Sequence, residues 1–223
     1  TWINLPRILL GTMDRLVETG CEDYDTFYAE FLADVRNYYT RIVELKNEQE
    51  RKWPLYDPLP LYSSSLTGCL EKGLDLTEGG AKYNSTALSL LGTATLIDSL
   101  YALKAMVFDR NAVSYADFRR IVAENFEKDE ILRQQILEKL PKHGTGNAEL
   151  DAFSAAVLDD ISGIAGQTNG RGGKYLPAFY PHDLYRNLGL ITGASLCLPK
   201  NLPAKYAPLS GRNASRKGMS IVY

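Results

Sequence analysis

The densest chemistry in the chain lies between Gly68 and Asn84, which reads Gly-Cys-Leu-Glu-Lys-Gly-Leu-Asp-Leu-Thr-Glu-Gly-Gly-Ala-Lys-Tyr-Asn. Cys69 supplies a thiol and Glu71 a carboxylate two residues on, in the run Gly-Cys-Leu-Glu. One reading of Cys69 is a small buried hydrophobe, which is how a free cysteine behaves in a core. Gly79 and Gly80 lack a Cβ, so the backbone here can turn sharply or lie against another backbone. Glu78, Lys82 and Asn84 flank that turn as polar handles. Glu78, Asn84 and the more distant Asp98 are expected to tie it to neighbouring backbone, because buried charges need partners. A loop this specific is functional or deeply packed more often than a plain surface connection. Of the two histidines, His143 in Lys-His-Gly is placed as a cap on a helix C-terminus. His182 is either a hydrogen-bond donor to a ligand or a satisfied structural residue.

The elements that must hold this loop read as mostly helical. Asn4 caps a first helix with Pro6 in its opening turn. Leu5, Ile8, Leu9, Met13, Leu16 and Val17 keep helical spacing until Gly20. A second helix runs from about Asp25 to Lys52, with Phe27, Phe31, Val35, Tyr38, Ile42 and Leu45 as its stripe and Pro54 as its stop. Residues 54–60 hold three prolines and form a rigid loop, followed by a short helix over Leu61–Glu71. The longest apolar run, interrupted by Asp98 and Lys104, reads as one buried helix over 85–108. Ser114 and Asp117 open the next helix as a capping box, with Phe118, Ile121, Val122 and Phe126 on its buried face. Further helices fall near 129–140 and 147–164. Gly163–Gly173 is glycine-rich and polar, and the remainder is irregular with strand-like pieces such as Leu188–Thr192.

Composition narrows the field. The 223 residues are 45% hydrophobic with a formal charge of -2, and Lys and Arg are scattered, so no nucleic-acid surface is indicated. Cys21, Cys69 and Cys197 show neither a CxxC pair nor metal-finger spacing, so no metal site is expected. Their sparse, odd count fits a reducing cytoplasm. No secretory leader or membrane-length apolar run is visible. The Asn84 and Asn213 glycosylation patterns are short enough to arise by chance. Both ends read as cut, so the chain is expected to be an internal piece of a longer polypeptide, with apolar faces that make it poorly soluble by itself.

The stretch from Cys69 to Asn84 resembles a signature of the pyruvate formate-lyase-like glycyl radical enzymes, in their dehydratase-like branch. Leu96–Phe108 resembles the helix that follows this loop in that family, and Gly172–His182 resembles a later loop facing the barrel interior. Gly193-Ala-Ser, Pro208-Leu-Ser and Gly211-Arg-Asn resemble a further stretch. Asn4-Leu-Pro-Arg-Ile-Leu-Leu resembles the helix after the catalytic cysteine loop. The likeness is collinear over nearly the whole chain. It implies an α/β fold in which residues 1–223 are part of a ten-stranded barrel domain, this portion predominantly α-helical with irregular loops. It also implies a chemistry. An activating enzyme using S-adenosylmethionine and an iron–sulfur cluster makes a radical on a glycine near the C-terminus. That radical takes a hydrogen atom from a barrel cysteine, and the thiyl radical takes one from a small polar substrate. No cofactor is bound directly by this segment. The activating enzyme and the substrate are its implied partners, and the intact protein is a candidate homodimer.

Carried over residue by residue, the resemblance places the catalytic cysteine loop just before Thr1, so Cys69 is the non-catalytic cysteine of the signature. No Arg-Val-x-Gly-Tyr-like radical loop occurs before Tyr223, and Gly211 and Gly218 stand in the wrong context. No catalytic residue is therefore expected here, and the segment alone should not turn over. What remains is cavity wall (Thr1, Trp2, Phe179, Tyr180 and His182) and the signature loop itself (Cys69, Thr77, Glu78, Gly79, Gly80, Tyr83 and Asn84). One departure stands out: relatives carry Pro-Asp-Gly-Arg where this chain has Leu196–Tyr206. That difference points to a divergent substrate class, or to a second reading in which a degenerate relative acts as a structural or interaction module. A plain helical scaffold leaves the glycine loop unexplained.

Overall fold

In the computed structural model, which describes residues 2–180, the chain opens with a strand, β1 (Trp2–Asn4), before its first helix. The other strands are β2 (Ala87–Leu91), a hairpin of β3 (Asn169–Gly170) with β4 (Gly173–Lys174), and β5 (Leu176–Tyr180). β1, β2 and β5 form a parallel sheet with β2 in the centre, Trp2 beside Ser89 and Ser89 beside Ala178. The long helix expected over 85–108 is thus corrected to a strand and a shorter helix. A short apolar strand that leads straight into an apolar helix reads as one continuous run, which periodicity cannot tell from a buried helix. Gly92 separates the two elements in the left-handed conformation (φ 77°).

Helix α1 (Leu5–Thr19) is capped by the Asn4 carboxamide accepting the Arg7 N–H at 3.0 Å. Helix α2 (Tyr24–Tyr56) begins at Asp23, whose side chain accepts the Thr26 N–H. Pro54 does not stop α2. It sits in the last turn, where the missing N–H costs one intrahelical bond and the helix closes two residues later. The buried stripe of α2 is Phe27, Phe31, Val35, Tyr39 and Val43, whereas Tyr38 and Leu45 face solvent. The packed face advances in steps of four because α2 lies against both α1 and the later α8 (Ala148–Ala165). The expected helix over Leu61–Glu71 resolves into two single turns, α3 (Pro60–Ser63) and α4 (Cys69–Lys72).

Helix α5 (Thr93–Leu103) continues as a π-helical segment, Lys104–Asp109. α6 (Tyr115–Ala123) starts at Ser114 as expected, and α7 (Glu130–Gln134) runs into a second π-helical segment, Gln135–Lys139. Four rings from three of these elements meet where Tyr24, Phe27, Phe108 and Tyr115 lie with centroids about 6 Å apart. Phe27 and Phe31 are fully buried, each contributing roughly 2–3 kcal/mol through apolar burial. Among the described residues no helix is long and apolar enough to cross a membrane. The expected strand over Leu188–Thr192 lies outside the described residues.

Asp98 and His143 are also reassigned. Asp98 is buried on α5 and is engaged away from the glycine loop it was expected to hold. Its Oδ1 accepts the His143 backbone N–H at 2.7 Å, and its Oδ2 has no partner. His143 caps no helix. Its Nδ1 lies 3.0 Å from Ser154 Oγ, and because that hydroxyl donates to Leu150 C=O, the imidazole Nδ1 carries the proton. The capping is done by the buried Lys142, whose Nζ donates to the carbonyls of Ile136 and Leu140. Burial pushes the Asp98 carboxyl up to about 7 and pushes the His143 imidazole down.

These two groups act on stability with opposite sign. Asp98 keeps its proton longer in the folded than in the unfolded chain. Its contribution is therefore full below about pH 4 and is lost as pH rises through about 7. His143 gives up its proton more readily when folded, so its contribution is present above its ordinary range and lost as pH falls. Asp98→Asn isolates the first effect. Urea denaturation across pH 4–8 is expected to show the variant gaining on the parent chain as pH rises, by on the order of 3 kcal/mol at pH 8. Parallel profiles would show that the Asp98 carboxyl is not the titrating group.

Candidate functional site: the glycine loop and the open face of the sheet

Between α3 and β2 the chain folds on itself around Asp75. Its Oδ2 accepts the Leu59 N–H at 3.1 Å and the Ser63 hydroxyl at 2.8 Å. Its Oδ1 accepts the hydroxyl and the N–H of Thr77 at 2.6 and 2.8 Å. The Thr77 hydroxyl leads the interactions that hold the Asp75 carboxyl down at about 2. Glu78 reaches back to accept the Asp75 N–H, closing a 3-10 turn over Leu76–Glu78. Gly79 ends that turn with φ 88°. Gly80 then presses against the previous strand of the loop, where a Cβ would stand 2.1 Å from the Leu74 carbonyl oxygen.

Two residues absent from the sequence reading fasten this loop to the body. Arg171, in the β3–β4 turn, donates from Nη1 to the carbonyls of Leu76 and Thr77 at 3.1 and 2.8 Å and stacks over the Trp53 ring at 5.2 Å. Its Nε lies 4.0 Å from the carboxylate of Glu50, which is 5% exposed and accepts the Thr86 hydroxyl at 3.0 Å. One turn earlier on α2, Asn47 accepts the Tyr175 hydroxyl and donates to the Asn169 carbonyl. Gly172 completes the junction, since a Cβ there would fall 1.0 Å from the carbonyl oxygen of Asn84. A signal for Glu50 was available: it lies seven residues beyond Val43, on the continuation of the buried stripe. Arg171 had none, because its partners are about 95 and 120 residues away in sequence.

The thiol–carboxylate pairing suggested by Cys69 and Glu71 is not formed as a working pair. Cys69 is buried, and Glu71 accepts the Gly68 N–H at 2.7 Å. Thr77 is buried, Tyr83 projects into solvent, and the Asn84 carboxamide lies beside Gly79. Among the described residues no group of three His, Cys, Asp or Glu side chains is placed to hold a metal.

The sheet has two unequal faces. Ile3, Leu88 and Leu90 are buried against the helices, and Phe179, in register with Leu90, packs half-buried against the same core. Trp2, Ala87, Ser89, Leu176 and Ala178 occupy the opposite face, where Trp2 is 64% exposed. Strand alternation therefore separates Trp2 from Phe179, two of the expected cavity residues. Tyr180 ends β5 in register with Leu91. Thr1 and His182 lie outside the described residues.

A family model described as pyruvate formate lyase-like matches residues 7–189. A (2S)-3-sulfopropanediol dehydratase of Klebsiella oxytoca is 33% identical over 94% of this chain and 27% of its own length. The glycerol-bound B12-independent glycerol dehydratase of Clostridium butyricum superposes with a TM-score of 0.79 at 26% identity, over 87% of this chain and 26% of that one. Hydroxyproline dehydratase of Clostridioides difficile, solved with trans-4-hydroxy-L-proline bound, superposes with a TM-score of 0.81 over 87% of this chain and 27% of its own; at 24% identity it speaks to the fold alone. The chain thus spans about a quarter of the length of these relatives.

Arg171→Met removes a charged donor from two carbonyls and leaves Glu50 without its guanidinium neighbour. A loss of about 3 kcal/mol is expected in urea denaturation, with a smaller loss when Glu50→Gln is added. Glycines separate by the same assay. Gly172→Ala should lose about 3 kcal/mol or more, while Gly11→Ala, on an exposed helical position with nothing within 4 Å of its Cβ, should gain up to about 1 kcal/mol.

Proposed function

The chain belongs to the pyruvate formate lyase-like family, and on that premise we propose that it forms part of the cavity wall of a glycyl radical dehydratase acting on a small polar substrate. The observation that carries the reading is the half-covered parallel sheet. Parallel strands are stable when both faces are packed, yet on the face carrying Trp2, Ser89 and Ala178, Trp2 is 64% exposed and neither Ser89 nor Ala178 is buried. In this reading β1, β2 and β5 are strands of a ten-stranded barrel, and the open face looks toward its interior. Relatives named as dehydratases of 3-sulfopropanediol and glycerol support a small hydroxylated substrate from which water leaves.

The part played by this chain is to bound the cavity and exclude water, which would otherwise intercept radicals. The glycine loop, bolted to α2 by Arg171, holds the segment leading into β2 and so sets the position of the wall. An activating enzyme using S-adenosylmethionine and an iron–sulfur cluster would install the radical on a glycine of the intact polypeptide, in the cytoplasm and in a homodimer. Neither Cys69 nor Gly211 nor Gly218 carries the radical relay, so residues 1–223 alone are inactive. The replacement at Leu196–Tyr206 favours a second reading, a non-catalytic module, and one experiment divides the two. Anaerobic incubation with the activating enzyme and S-adenosylmethionine should give a glycyl doublet by electron paramagnetic resonance on the full gene product and none on residues 1–223. No doublet on the full product would sink the enzyme reading in favour of the module. A doublet on residues 1–223 would show that the radical glycine is here after all.

A further inference from the structure

Two helices begin side by side at the carboxyl ends of β1 and β2. Asn4 pairs with Leu91, so α1, starting at Leu5, and α5, starting at Thr93, point their N-termini to the same end of the sheet. The carboxyl end of parallel strands is where α/β sheets take ligands, and helix N-termini there favour negative charge. The two ends are finished differently. α1 is capped by Asn4 Oδ1. α5 follows Gly92, which has no side chain to offer, and has neither a side-chain cap nor an acidic residue in its first turn. The N–H groups of Thr93, Ala94 and Thr95 therefore have no partner within the helix.

Besides the backbone groups, three polar side-chain atoms at this point are buried without a partner, Asn4 Nδ2, Thr93 Oγ1 and Thr95 Oγ1. Thr93 is 7% exposed and its Oγ1 makes no hydrogen bond, and Asn4 Nδ2, left over from capping α1, makes none either. Buried donors are satisfied in the great majority of proteins. Here one amide, two hydroxyls and a helix N-terminus, all capable of donating, gather at adjacent strand ends. The nearest carboxylate along α5, Asp98, is more than a turn further on and engages the His143 N–H.

We propose that Asn4, Thr93 and the first turn of α5 form a subsite for the oxyanion group of a small ligand: a carboxylate, sulfonate or phosphate. Its assignment as a substrate anchor rests on the cavity reading above, whereas binding itself does not. The Asn4 amide and Thr93 hydroxyl would donate to two oxygens, and the α5 N–H groups to the oxygen nearest the helix axis. The test is an NMR titration of the ¹⁵N-labelled 223-residue chain with acetate, methanesulfonate and inorganic phosphate in separate arms. Saturable shifts are expected in the Thr93, Ala94 and Thr95 amides and in the Asn4 side-chain amide, with the tightest arm identifying the group. Asn4→Asp keeps a good α1 cap but replaces the donor by a charge, and Thr93→Val keeps shape without the hydroxyl. Each should weaken binding tenfold or more while amide dispersion elsewhere is unchanged, and Thr93→Ser should restore it. Linear or absent shifts in all three arms, or equal affinity in both variants, would overturn the subsite. Because the readout needs no radical, its outcome is separable from that of the glycyl-radical experiment.

Discussion

A carboxylate removed from water must be met by donors or cations, and Glu50 is removed almost completely. It stands near the end of α2 with the Thr86 hydroxyl on it and the Arg171 and Lys46 side chains at the limit of ion-pair distance. Those contacts join three parts of the chain distant in sequence: the long helix, the residue just before β2, and the hairpin just before β5. The same guanidinium spans from Glu50 to the carbonyls at the tip of the glycine loop. The positions of the central strand, its edge neighbour and the signature loop therefore follow from one buried charge and its neighbours. A pair of this kind adds little net stability against an apolar replacement, but losing one member is costly. Its contribution here is to specify which segments meet.

The glycine loop is consequently a structural device more than a reactive one. Asp75 gathers the N–H of Leu59, the Ser63 hydroxyl and both donors of Thr77. Glu78 and Glu71 are spent as caps on the Asp75 and Gly68 N–H groups. Its carboxylates are thereby engaged by N–H and hydroxyl donors of the loop itself, and Gly80 serves backbone-to-backbone contact. What the loop delivers is a fixed approach to β2, on whose open face the proposed cavity begins.

That face and the helix starts beyond it share one geometric cause. Strand alternation puts Leu88 and Leu90 on the core side and Ser89 on the other, and the parallel order β1-β2-β5 brings both following helices to one end. The chain matches about a quarter of the length of its relatives. Exposed apolar residues such as Leu55, Tyr56, Leu61, Leu70 and Tyr83 follow one another from the last turn of α2 to the end of the glycine loop.

Much of this was legible in the sequence, for local reasons. The caps at Asn4 and Ser114, the helical stripes of α1 (save Val17, which is 41% exposed) and α6, and the start of α8 depend on residues within four positions of each other. The Cys69–Asn84 run was enough to name the family. The strand β2 was hidden, because its short apolar run continues into that of α5 and cannot be told from a buried helix by periodicity; only its neighbours β1 and β5 settle which it is. The one-residue shift of the stripe along α2 after Val35 has the same origin, since the side facing α1 and α8 is not encoded in α2 alone. Arg171, Glu50, and the pairing of Asp98 with His143 link residues between 45 and about 120 positions apart. No local pattern carries such pairings. Periodicity and capping are short-range physics and can be read along the chain, whereas which buried polar group meets which partner is decided only when distant segments are packed together.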